Sequence, residues 1–157
     1  MLEFEQTSFE TDPVESRSDA LRAFVQAYDV LQSVLEDVEN SDENEENRLF
    51  ADKLRKAVYR PVRPHGYDVP PISLYEIGVV YVPDEIGKYS INERKLDAAL
   101  GKREDEIRAL FVQEDGILPH LCEILPEFLK TEKLHELTYM SALRFLNECR
   151  RLTAMFD

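Results

Sequence analysis

The stretch Asn92-Glu-Arg-Lys-Leu-Asp-Ala-Ala-Leu-Gly-Lys-Arg-Glu-Asp-Glu-Ile-Arg-Ala-Leu-Phe-Val112 decides how this chain is read. Asn92 suits a helix N-cap, because its short side chain accepts from an otherwise unsatisfied backbone N–H. Leu96, Ala99 and Leu100 fall on one helical face, and Ile107, Leu110 and Phe111 fall on another. Gly101 lies between them. The spacing predicts helix, tight turn, helix, with the glycine supplying positive φ at the turn.

Upstream, Leu21, Phe24, Val25, Tyr28, Leu31, Leu35 and Val38 recur every three or four residues, predicting a helix of about five turns from an N-cap at Ser16 or Ser18. Residues 1–17 show no such period and read as a flexible acidic arm, leaving 18–157 as a single helical domain. Glu39–Asn47 holds no apolar residue and reads as a solvated connection. A second helix follows, with Leu49, Phe50, Leu54, Ala57 and Val58 inward. It ends near Arg60, where five Pro and Gly residues make 61–71 extended. Ile77–Val82 and Tyr89–Ile91 suit a short β pair. Downstream, Ile117–Leu129 predicts a helix opened by Pro119 and broken or restarted near Pro126. Thr131 would cap a last helix from Glu132 nearly to the end, its apolar series including Leu137 and Met140. The expected fold is mainly α, of winged-helix or helix-turn-helix type, with a short β element and extra C-terminal helices.

The formal charge of −13 over 157 residues is unevenly spread. Residues 1–50 hold 14 acids and 3 bases, whereas 51–157 hold 18 and 16. Bases gather at Lys53, Arg55, Lys56, Arg60 and Arg63, and again at Arg94, Lys95, Lys102 and Arg103. A local basic surface is therefore compatible with an acidic total. Against it, Glu104, Asp105 and Glu106 open the second helix of the pair. Carboxylates there complement the helix dipole and repel phosphate.

Catalysis finds little support. His120 and Cys122 are two apart and would point in different directions on a helix; His65 and His135 have no ligand-like neighbours; no phosphate loop or nucleophile elbow is present. Neither enzyme activity, metal nor cofactor is expected. Cys122 and Cys149 lack a Cys-x-x-Cys partner and read as buried thiols of a reducing compartment. An acidic start and the lack of a long apolar run point to an intracellular chain that does not enter a membrane.

Tyr89-Ser-Ile-Asn-Glu-Arg-Lys-Leu-Asp-Ala-Ala-Leu-Gly-Lys-Arg103 resembles the segment leading to the recognition helix in the transcription-initiator DNA-binding domains of certain protists. Those domains carry an Ile-Asn pair, then a basic and a bulky apolar residue, then Leu-Gly and a nearby Lys. The order of a long amphipathic helix, a polar loop and Asn47-Arg-Leu-Phe-Ala-Asp-Lys-Leu54 is also similar, so the resemblance covers roughly residues 20–113. The acidic opening of the second helix departs from it. The resemblance implies a nuclear protein that recognises an initiator-like promoter element. Lys102 and Arg103 would meet phosphates, Arg108 a base edge, and Arg94 and Lys95 would steady the backbone. The rival expectation is a non-enzymatic adaptor or inhibitor whose acidity engages a basic protein partner.

Overall fold

The computed structural model describes residues 13–37, 44–66, 68–82, 88–132 and 134–156. The chain is mainly helical with one small antiparallel sheet. In order, it forms α1 (Pro13–Asp37), α2 (Asn44–Tyr59), a single 3₁₀ turn (Leu74–Ile77), β1 (Val79–Val82), β2 (Lys88–Ile91), α3 (Glu93–Lys102), α4 (Glu104–Val112), α5 (Ile117–Leu129) and α6 (Glu136–Phe156). No described helix is long and apolar enough to cross a membrane.

The longest helices, α1 and α6, make the most extensive packing in the molecule. Phe24 and Tyr28 of α1 meet Phe145 of α6 at ring distances of 5.2 and 5.7 Å, and Arg17 lies over the Phe156 ring. The two helices are therefore antiparallel, and α6 is part of the core and not a tail. Burying aliphatic and aromatic side chains on this scale supplies the main force for folding, at about 25 cal/mol per Å² of apolar surface. α2 packs on α1 and α5, and Gln32 joins the first two by donating to the Ala51 carbonyl at 3.1 Å and the Tyr28 hydroxyl at 3.2 Å.

Several boundaries differ from the sequence reading. α1 begins at Pro13, where a proline sits without cost because first-turn N–H groups have no helical partner, so the acidic arm expected over 1–17 does not include 13–17. The rest of that segment lies outside the described residues. Ser18 is no cap; its hydroxyl is buried inside the helix without a hydrogen-bond partner among the described residues. α2 starts at Asn44, taking in the end of the polar run expected to be loop; residues 38–43 lie outside the description. α5 passes through Pro126 unbroken, since one lost hydrogen bond near its end is offset by burial of Leu125 and Phe128. α6 starts at Glu136, not Glu132, and is capped by the His135 ring, which accepts from the Leu137 N–H at 3.3 Å. Leu49, Leu137 and Met140, expected inward, are 64, 57 and 55% exposed.

The hairpin pairs Val79 with Ile91 and Val82 with Lys88, close to the expected strands. Ile77 belongs to the preceding 3₁₀ turn, however, and Gly78 separates the two with φ +98°. Asp29 fastens β2 to α1 by accepting from the Tyr89 N–H. Gly101, expected to turn the chain, is helical and lies inside α3, where an added Cβ would meet nothing within 4 Å. At Gly78 an added Cβ would come within 2.9 Å of the Asn92 carbonyl.

These two glycines predict opposite outcomes in a urea titration. Gly101→Ala should leave stability unchanged or raise it by up to about 1 kcal/mol, as expected for an exposed helical glycine. Gly78→Ala should cost about 1–3 kcal/mol through strain at positive φ. A Gly101→Ala loss matching that of Gly78→Ala would place the turn at 101 after all.

Candidate interaction site around α4

The α3–α4 pair is joined through one residue, Arg103, with φ −124° and ψ 36°. Asn92 caps α3 as expected, accepting from the Lys95 N–H at 3.1 Å. Arg103 ends α3 by donating its N–H to Ala99 and opens α4 by accepting from Ile107. Its guanidinium is already engaged: Nε and Nη2 donate to the two carboxylate oxygens of Glu106 at 2.7 and 3.3 Å. The contact raises the Arg103 pKa and lowers that of Glu106. The charge of Glu76 in the 3₁₀ turn adds attraction. Glu76 is held below its ordinary value against the effect of burial, because the Ser73 hydroxyl and N–H both donate to it. Arg103 thus works as an internal brace.

The other expected cations lie on α3 and α4. Arg94 and Lys102 are exposed, and Lys95 lies 5.0 Å from the centre of the Tyr75 ring. Arg108 is exposed on the outer side of α4. Carboxylates share that surface: Glu104 pairs with Arg17, and Glu93 at the start of α3 pairs with Arg22 at 3.0 Å. On α2, Asp52 serves both Lys56 at 2.9 Å and Arg55 at 3.6 Å.

The feature that sequence reading missed is the path of residues 61–72. Val62 and Ile72 pair through two backbone hydrogen bonds of 2.8 Å, and both are buried. The described residues between them run as a strap beside α4. Gln113, just past the helix, clasps it: its amide nitrogen donates to the Arg63 carbonyl at 2.9 Å, and its oxygen accepts from the His65 N–H at 2.8 Å. The same nitrogen donates to Asp115 at 2.7 Å and holds that carboxyl below its usual range. No local signal announces a contact between residues about 50 apart.

Among the described residues, two open grooves run along α4. One, of about 530 Å³, is lined by His65 of the strap and by Asp105, Arg108, Ala109, Val112, Gln113 and Glu114. The other, of about 370 Å³, lies between Val69 and residues 101–106. Asp105 borders both. Each carries charges of both signs, and neither offers the convex basic surface that a DNA groove needs.

Beside the hairpin, Tyr89 is ringed by Tyr28, Tyr59 and Tyr81 at 5.1–5.4 Å. Burial raises the Tyr28, Tyr59 and Tyr89 pKa values. Among the described residues, no three His, Cys, Asp or Glu side chains are placed to hold a metal. Cys149 is buried, and its thiol is pushed well up by that burial; Cys122, expected to be buried, is half-buried. No family model matches the chain, and no curated protein or solved structure is significantly similar to it.

The tyrosines give this region an alkaline limit. A phenol whose folded pKa is raised lends stability that is complete below its ordinary value near 10 and is lost as pH rises beyond it. Urea midpoints should hold to about pH 9 and then fall. Tyr28→Phe should lessen that fall by removing one titrating group. Parallel pH profiles for variant and parent would show that Tyr28 is not protected in the fold.

Proposed function

We propose that this chain is a non-catalytic binding domain that takes an extended, net basic segment of a protein partner along α4. The observation that carries this reading is the strap: the outer side of α4 forms one wall of two mixed-charge grooves. A polypeptide can match alternating charges residue by residue, whereas a phosphate chain meets Asp105 and Glu114 unfavourably. The total charge of −13 steers a basic partner towards the surface, and the paired charges set its register.

A second reading keeps promoter recognition of the initiator type, and one observation favours it. α3 and α4 meet through a single residue, with Lys102 and Arg108 exposed and forming no ion pair among the described residues. In that reading Lys102 contacts phosphate, Arg108 reaches a base, and Arg94 and Lys95 support the backbone. Arg103 is unsuited to phosphate because Glu106 holds it. The hairpin precedes α3, so any wing has to come from β1 and β2.

The readings part in one titration of a Lys/Arg-rich synthetic peptide and a random-sequence duplex at two salt concentrations. The peptide should bind, and Asp105→Asn with Glu114→Gln should weaken it roughly three- to tenfold, the scale of two exposed ion pairs. Tight duplex binding that falls steeply with salt and weakens in Lys102→Ala, with no peptide binding, would establish the DNA reading instead.

A further inference from the structure

The larger α4 groove contains a histidine. His65, exposed on the strap, lines it together with Asp105 and Arg108 of α4 and with Glu114 just beyond that helix. Its backbone N–H donates to the Gln113 side chain at 2.8 Å, which tethers the residue at the end of α4. Asp115, whose carboxyl the Gln113 amide holds below its usual range, is drawn down further by His65 and by Arg60 just past α2. Among the described residues, the charged groups around His65 are therefore Asp105, Arg108, Glu114 and Asp115 on the α4 side, and Arg60 from α2. Arg63, its neighbour on the strap, donates to the Val69 carbonyl at 3.4 Å.

We infer that His65 makes binding along α4 depend on pH: a basic segment is held near neutrality and released in mildly acidic solution. The inference rests on the basic-segment reading of this groove. Histidine is the one side chain whose charge ordinarily changes between pH 5 and 8. With His65 neutral, the groove lining carries two carboxylates against one guanidinium, a negative balance of one; protonation cancels it. The added charge acts twice in the same direction. It sets a cation in the channel that the partner's Lys and Arg side chains have to enter, and it gives the groove's own carboxylates an internal partner that competes with them. The remaining histidines stand elsewhere. His120 is on α5, and the His135 ring accepts from the Leu137 N–H at the start of α6.

The test is a titration of the full chain with an N-acetylated, Lys/Arg-rich peptide, which has no group titrating in this range, at about pH 7.5 and about pH 5.5 and one ionic strength. Circular dichroism confirms the fold at both. Parent affinity should fall roughly two- to fivefold on acidification, the scale of one exposed ion pair. His65→Gln should show nearly the same affinity at the two pH values. His65→Lys, with a permanent charge, should bind equally weakly at both, and His120→Gln should keep the parent's dependence. Absence of peptide binding at the higher pH would overturn the reading of the groove, and this inference with it. Binding by the parent that is the same at both pH values, a fall that persists undiminished in His65→Gln, or one abolished by His120→Gln would overturn the pH dependence alone.

Discussion

Phe24 is the contact on which the arrangement of the helices depends. Its ring, fully buried on α1, stands edge-on to Phe111 of α4 at 6.1 Å and tilts against Phe145 of α6 at 5.2 Å. Phe111 in turn stacks on Phe156 at the end of α6. One side chain therefore joins the N-terminal helix, the candidate recognition helix and the C-terminal helix. Truncating a buried Phe typically costs about 3–5 kcal/mol, a large part of the roughly 5–15 kcal/mol that holds a domain together. Because Ile107, Leu110 and Phe111 are committed to this cluster, Asp105 and Arg108 have to face outward, towards the strap.

That geometry changes what α4 can do. A recognition helix must protrude to enter a groove about 12 Å wide, with its neighbouring backbone kept clear. Here Gln113 ties the strap to one end of α4, and Val69 flanks the other. Arg103, expected with Lys102 to meet phosphates, is instead held by Glu106 at the junction of the two helices, with the charge of Glu76 adding attraction. A mixed-charge channel beside a rigid helix suits a polypeptide, since charge alternation along the partner gives register without net attraction at every position.

Much of the fold was legible because its helices are strongly periodic. The inner face of α2 apart from Leu49, the Asn92 cap, the two apolar faces of α3 and α4, and the strand 79–82 paired with 89–91 follow local rules that the packing obeys. The departures occur where a distant partner overrides a local signal. Gly101 reads as a turn residue, but the chain breaks two positions later, at Arg103, whose brace includes Glu76, 27 residues away. Pro126 reads as a break, yet Phe128 is stacked on Phe50 and keeps the helix going. Pro13 and His135 begin helices that a Ser or Thr was expected to cap. The candidate site was half legible. Spacing located α4 and its charged side chains, whereas the strap depends on tertiary hydrogen bonds with no sequence pattern.

The account turns on whether the strap is docked against α4 in solution, and amide hydrogen exchange at His65 reads this directly. That N–H lies in an exposed turn and donates to the Gln113 side chain at 2.8 Å. Its exchange should be markedly slowed in the parent and should return to the rate of an open loop in Gln113→Ala, while the amides of α1 stay protected. Exchange at His65 as fast in the parent as in the variant would mean that the strap is undocked and that the outer side of α4 is open. The grooves, and the partner argued from them, would then have no basis.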